Sequence, residues 1–277
     1  MADREMMKGR RGLVMGVAND HSIAWGIARM LHAHGAEIAF TYQGDAQGRR
    51  LKPLADSIGS EILLQADVEK DAELDAAFET LAREWGRLDF VVHAIAFSDR
   101  EELKGRYVNT TRENFCRSLA ISCYSFTDVA RRALPLMKRG GALLTLTYLG
   151  SQRVTPNYNV MGVAKAALEA SVRYLAADLG REDIRVNAIS AGPMRTLAGS
   201  VVSESRMVFK WNKAHSPLKR TVSLDDVGNA ALYLLSDMSL GVTGEIHYVD
   251  SGYSIIGTPP SSQLKGWIEP EDNAAEE

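Results

Sequence analysis

The chain has 277 residues, 32 of them basic and 35 acidic, with a formal net charge of -3. So even a balance gives no sign of a nucleic-acid surface, and no apolar run reaches transmembrane length. Cys116 and Cys123 are the only cysteines, seven residues apart on one predicted helix, and read as two buried or half-buried thiols rather than a disulfide or metal pair.

Strand-like and helical stretches alternate from Gly12 to Val249 with no boundary, which predicts one domain over residues 1–277. Predicted strands are Gly12–Val17, Glu37–Tyr42, Glu61–Gln65, Leu88–Ile95, Ala142–Tyr148, Arg185–Ile189 and Glu245–Val249. Between them lie predicted helices at Ser22–His34, Ala46–Ile58, Asp71–Trp85, Thr111–Lys138, Tyr158–Gly180 and Asp225–Ser236. Runs such as LDFVVHAIAF are almost wholly apolar, as strands covered on both faces must be. Strands joined by helical crossovers are parallel, so the expected fold is α/β, a single Rossmann-like doubly wound domain with about seven parallel strands flanked by helices. The start, MADREMMKGRRG, lacks the apolar core of a secretory signal and predicts a soluble, cytoplasmic protein. The acidic tail, about 266–277, reads as disordered.

Ligands of such sheets bind at the carboxyl ends of the strands. The first strand ends at Gly16, and a helix follows at Ile23. A glycine there allows a tight turn under a pyrophosphate, while Ser22 could cap the helix and offer its hydroxyl to a phosphate. The usual G-x-G-x-x-G is absent, so taken alone the turn reads more readily as an ordinary strand–helix connection. Gln43 ends the second strand where many NAD-binding folds carry an acidic residue, and no Arg or Lys follows immediately to hold a 2′-phosphate, which favours NADH over NADPH. After the third strand, Asp67-Val68 offers a carboxylate to an adenine amine, or equally a cap for the next helix.

The fifth strand leads into PNYNVMGVAKAALEASVRYLAADLG, the most helical stretch of the chain. Tyr158 and Lys165 lie seven residues apart, which at about 100° per residue puts them at nearly one azimuth and roughly 10 Å apart along the axis. A cation near a phenol favours the phenolate, so the pair predicts a tyrosine with a lowered pKa that handles protons near neutrality. From these two residues alone, an amphipathic Tyr and a surface Lys at helical spacing is the more ordinary reading, common in any helix. Tyr148, at the end of the fifth strand, points at the same crevice or is simply a half-buried aromatic. Residues 195–222 contain no strand signal, and a connection that long suggests a lid, with a short helix at Ser203–Lys213 presenting Met207, Val208 and Trp211 on one face.

Taken together, G-x5-S-I near the start, FTYQ, DV, VVHAIAF, LTLTYLG, PNYNVMGVAKAALEASVRYLA, IRVNAISAGPMRTLA and TGEIHYVDSGYS resemble the NADH-dependent enoyl-[acyl-carrier-protein] reductases of type II fatty-acid synthesis, a divergent branch of the short-chain dehydrogenases. The resemblance runs from about Gly9 to Tyr253, and its most specific element is Tyr-x6-Lys, since ordinary short-chain dehydrogenases use Tyr-x3-Lys. It implies that Gly16, Ser22 and Ile23 line the pyrophosphate and ribose, that Gln43 lies near the adenosine, and that Asp67 and Val68 surround the adenine. Ile95 would sit by the cofactor, Lys165 would hold the nicotinamide ribose, and Met194, Arg195, Thr196, Leu197 and Ala198 would wrap the nicotinamide. Ser98, Tyr148 and Tyr158 would meet the substrate, with Tyr148, Tyr158 and Lys165 as the catalytic set and no metal. The resemblance further implies an acyl carrier protein as partner, a homotetramer packed through the helices 111–138 and 158–180, and lid cations at Arg195, Arg206, Lys210 and Lys213 facing the carrier. Where the family commonly has Ser-Ile-Gly, this chain has Ala94-Ile95-Ala96, a loss of one hydroxyl and a gain of one methyl that leaves catalytic efficiency, chain-length preference and inhibitor sensitivity open while removing no catalytic group. Two other readings compete: a carbonyl-reducing enzyme of the same fold such as a 3-oxoacyl reductase, against which Tyr-x6-Lys and the long lid argue, and a non-catalytic dinucleotide-sensing Rossmann protein.

Overall fold

The computed structural model describes residues 5–194, 196 and 205–258, so the predicted acidic tail and part of the predicted lid lie outside the described residues. In chain order the elements are β1 (Arg11–Met15), α1 (Ile23–Ala33), β2 (Glu37–Tyr42), α2 (Asp45–Ser57), β3 (Leu63–Gln65), α3 (Asp71–Glu84), β4 (Phe90–His93), α4 (Arg112–Leu119), α5 (Ser125–Ala133), β5 (Gly141–Thr147), α6 (Asn159–Leu179), β6 (Ile184–Ala191), α7 (Ser205–His215), α8 (Leu224–Leu235) and β7 (Ile246–Val249).

The seven strands form one parallel sheet in the order β3-β2-β1-β4-β5-β6-β7. Its two faces bury different side chains of the same strands. Val14, Phe40, Phe90 and Val92 pack under α1, α2 and α8, whereas Leu13, Met15, Ala39 and Val91 pack under α3, α5 and α6. Burial on both faces is why these strands read as continuous apolar runs. The chain steps outward from β1 to β3 and then crosses to β4 on the other side of β1, which leaves a topological switch point at the carboxyl ends of β1 and β4. There the register sets Met15 opposite His93, and His93 opposite Thr145. Gly16, Ala94 and Tyr148 therefore emerge side by side along one edge of the sheet.

Two elements depart from expectation. The predicted helix 111–138 is broken: a five-residue π turn, Ala120–Tyr124, separates α4 from α5. Ser125 Oγ donates to the Ile121 carbonyl at 2.6 Å, competing with the helical ladder, and Ser122 Oγ accepts from the Phe97 amide at 3.0 Å. Such bulges occur where a side chain withdraws a helix carbonyl from regular pairing. The extra residue also rotates Cys123 out of register with Cys116; both are free thiols, with Cys116 exposed and Cys123 half-buried, so only one fits the expectation. The fourth strand stops at His93, and Ala94–Ser98 continues as a loop over the switch point. Helix α8 begins at a capping box, in which Ser223 and Asp226 exchange hydrogen bonds with each other's backbone amides.

Candidate active site

The turn after β1 is tight because Gly16 takes φ +93°, and a Cβ there would stand 2.1 Å from the Ala94 carbonyl oxygen. Ser22 stands at the N-cap of α1, but its side chain makes no capping hydrogen bond. Its hydroxyl instead accepts from the Ala18 and Asn19 amides, both at 3.0 Å, and donates to Asn19 Oδ1, so it holds the turn in shape from within. Ile23 packs half-buried against the α1–α2–α8 side of the core. At the end of β2, Gln43 Nε2 donates to Asp67 Oδ2 at 3.2 Å, joining the two residues expected at the adenosine end. Asp67 is not the cap of α3, a position that Lys70 occupies; its other oxygen accepts from the Glu69 amide. Gln47, unanticipated from sequence, donates to the Val17 carbonyl and accepts from the Gln43 amide, which links the β1 and β2 ends. Val68 and Ile95 lie half-buried against the α3–α5–α6 side of the core.

Met194 lines a cleft of about 230 Å³ with His21, Phe209, Thr221, Val222 and Leu224, between the β1–α1 turn and α7. Thr196 is half-buried beside it; Arg195, Leu197 and Ala198 lie outside the described residues. A short helix, α7, is present where one was predicted, displaced by two residues, and its spacing keeps Met207, Val208 and Trp211 on one face; Met207 and Trp211 are exposed, while Asn212 is buried. Trp211 stacks on His215, with ring centroids 3.7 Å apart. Lys210 and Lys213 are exposed; the Arg206 side chain lies outside the described residues.

At the other end of the crevice, Tyr148 leaves β5 and meets the Tyr158 ring edge-to-face, with centroids 5.1 Å apart. The contact depends on two glycines. A Cβ on Gly150 would stand 2.5 Å from the Tyr158 ring, and one on Gly162 would stand 2.8 Å from the Gly150 carbonyl oxygen. Tyr158 sits between two left-handed asparagines, Asn157 at φ +59° and Asn159 at φ +36°. Strain of this kind persists where surroundings over-determine it; Asn159 Nδ2 is anchored to the Glu102 carbonyl at 3.1 Å.

Lys165 is buried, with 6 % of its surface exposed, and its Nζ donates to the Leu146 carbonyl at 2.8 Å. Burial pulls its pKa down to about 8, partly opposed by Cys123 and Glu169. The expectation of an acidified Tyr158 fails. Burial pushes the phenol above its ordinary value, and the neighbouring Tyr148 and Glu169 push the same way. Tyr148 is likewise raised, chiefly by burial and then by Tyr253. Both phenols are therefore neutral hydrogen-bond donors near pH 7. The arrangement fits a dinucleotide: the buried ammonium spends one N–H on Leu146 and has two left for a ribose diol.

Ser98, expected at the substrate, has its hydroxyl tied into a network with Asn114 (3.3 Å) and Ser118 (3.0 Å) that anchors the loop after β4. Two buried groups were not anticipated. His93 lies between Thr145 Oγ1 and Ser125 Oγ, at 3.1 and 2.8 Å, and burial with the nearby Lys165 charge lowers its pKa to about 3, so it is neutral. Glu169, one turn beyond Lys165, accepts from Thr147 at 2.7 Å and from Ser151.

A doubly wound parallel sheet with a tyrosine pair and a buried lysine beside its switch point defines a dinucleotide-dependent reductase of the short-chain type. More narrowly, the chain belongs to the enoyl-(acyl carrier protein) reductase family, whose model matches residues 16–254. It is 64% identical over 260 residues to enoyl-[acyl-carrier-protein] reductase [NADH] 2 of Rhizobium meliloti, covering 94% of this chain and 97% of that one. FabI from Candidatus Liberibacter asiaticus superposes with a TM-score of 0.91 at 59% identity, over 92% of this chain and 99% of its own. The Anaplasma phagocytophilum reductase, solved in complex with NAD, has a TM-score of 0.87 at 55% identity, over 91% of this chain and 95% of its own.

Proposed function

We propose that this chain reduces the carbon–carbon double bond of trans-2-enoyl-[acyl-carrier-protein] thioesters in fatty-acid elongation, using NADH. The observation that carries the reading is the Tyr148–Tyr158 contact at the end of β5, with Lys165 buried two helical turns along α6. Bound NADH supplies a hydride for the β-carbon of the enoyl thioester. As negative charge builds on the thioester oxygen, the neutral Tyr158 hydroxyl donates a hydrogen bond to it, stabilising the enolate until the α-carbon takes a proton from water. A raised phenol pKa suits that role, because the donor keeps its proton. Lys165 donates to the nicotinamide ribose and orients the cofactor without transferring a proton itself. Tyr148 walls the substrate side, and Gly16, Ser22, Ile23, Gln43, Asp67, Val68, Ile95 and the segment Met194–Ala198 hold the dinucleotide.

The deciding experiment compares NADH consumption on a 2-enoyl and a 3-oxoacyl thioester, in wild type and in Tyr158→Phe. Wild type is expected to prefer the enoyl substrate. Loss of one hydrogen bond to a charged oxygen should lower kcat about 10- to 100-fold, with the NADH KM nearly unchanged. Faster turnover of the 3-oxoacyl thioester would refute the reading. The carrier protein enters as the bearer of the substrate, in the cytoplasm, with the exposed Lys210 and Lys213 facing it. Exposed Tyr124 and Tyr174, on the π turn and α6, support packing into a homotetramer, for which light scattering is expected to give four times the chain mass.

A further inference from the structure

Glu169 takes no part in the chemistry described above, yet its carboxylate is buried, with 4 % of the residue's surface exposed. It reaches across from α6 to the strand-end loop of β5. Oε1 accepts from Thr147 Oγ1 at 2.7 Å and from Ser151 Oγ, and Oε2 accepts from Gln152 Nε2 at 3.4 Å. Thr147 immediately precedes Tyr148, and Ser151 and Gln152 follow Gly150, the residue on which the Tyr158 ring rests. The loop is also closed by the Ser151 amide donating to the Tyr148 carbonyl at 2.9 Å.

We propose that Glu169 is a positioning residue for the reduction, gripping the Tyr148 loop on both sides and standing as the buried counter-charge to Lys165. The inference rests on the roles assigned above to Tyr148, Tyr158 and Lys165. Its first half is geometric: with the grip released, the Tyr148–Gly150 segment and the Tyr158 ring packed on it lose their fixed relation. The second half is electrostatic. The titratable groups bearing on Lys165 are Glu169 one turn along α6, Cys123 from the π turn and His93 from β4, which is neutral. Burial drives Lys165 toward losing its proton; Cys123 and then Glu169 oppose this. A purely structural anchor would hold the loop and leave the Lys165 titration where it is.

The test is Glu169→Gln, which keeps the shape and removes the charge, read by NADH binding from pH 6 to 9 and by kcat on a 2-enoyl thioester. NADH affinity is expected to fall at alkaline pH, with that limb displaced by about one pH toward acid, so that binding at pH 8 weakens about fivefold. A fall of kcat by about tenfold should accompany it. Glu169→Asp should restore the alkaline limb while kcat stays reduced, because the shorter side chain keeps the charge and loses the reach. An unmoved NADH limb with unchanged kcat, or a lower melting temperature alone, would overturn the proposal. Should Glu169→Gln fail to fold, Ser151→Ala decides: a several-fold lower kcat with the NADH limb in place supports the grip, and unchanged kcat refutes it. NADH binding needs no turnover, so a wild-type chain that reduced no enoyl thioester would refute the proposed function while the limb still judged Glu169.

Discussion

Replacing Lys165 by Met should make the protein more stable as it abolishes tight NADH binding. Burial lowers the Lys165 pKa from 10.5 to about 8, which at about 1.4 kcal/mol per pKa step corresponds to roughly 3 kcal/mol of charge burial held in the folded state. The folded chain binds fewer protons than the unfolded chain between those two values, so the cost is fully present below pH 8 and is relieved as pH rises toward 10.5. Met fills a similar volume without the charge, at the loss of the hydrogen bond to the Leu146 carbonyl, worth about 1 kcal/mol. The net gain is about 2 kcal/mol at pH 7, a rise of roughly 4–8 °C in melting temperature for the ligand-free protein. By pH 10 most of the difference should vanish, because wild type has then shed the proton. Saturating NADH should reverse the ranking, since wild type alone gains full stabilisation from the ligand. Differential scanning fluorimetry at pH 7 and pH 10, with and without NADH, measures all three. A Lys165→Met protein less stable than wild type at pH 7, or a gap independent of pH, would refute the reasoning.

Gly16→Ala combines a left-handed φ with a Cβ 2.1 Å from the Ala94 carbonyl, and should cost at least about 2 kcal/mol in urea unfolding and weaken NADH in a fluorescence titration. Gly150→Ala drives a methyl into the Tyr158 ring; kcat on the enoyl thioester should fall about tenfold or more, with NADH affinity retained. Ser223→Ala removes the cap of α8 and should lower the unfolding free energy by about 1 kcal/mol at neutral pH. Arg220 holds Asp226 down to about 2, so the stability this carboxylate contributes is present above 3.8 and is lost as pH falls through 2, which an acid-unfolding titration of Asp226→Asn should show as a smaller acid transition.

The strands and most helices were legible because a sheet covered on both faces leaves a plain apolar record, and because crossovers force parallel order. What escaped was set by contacts across the fold. The π turn at Ala120–Tyr124 arises from serines bonding to a distant loop and to a carbonyl one turn back, which no periodicity reports. Spacing predicted Tyr158 and Lys165 on one side of a helix, but Tyr158 stands just before α6, at its N-cap beside the left-handed Asn159, and burial reversed the expected shift of the phenol. Ser22 stood where a cap belongs, yet its hydroxyl turned back to the preceding amides. Glu169, four residues after Lys165, resembles any surface carboxylate paired along a helix, and only Thr147 and Ser151 from the β5 loop make it an interior group.

The near-contact of Gly150 and Gly162 constrains how a protein of this kind can diversify. Neither position has room for a side chain, so the tyrosine pair and the start of α6 form a unit that tolerates little drift. A lineage adapting to longer, branched or otherwise altered acyl chains must then change elsewhere. The loop carrying Ala94 and Ala96 and the cleft rimmed by Met194 and Phe209 are the surfaces left for natural selection to reshape.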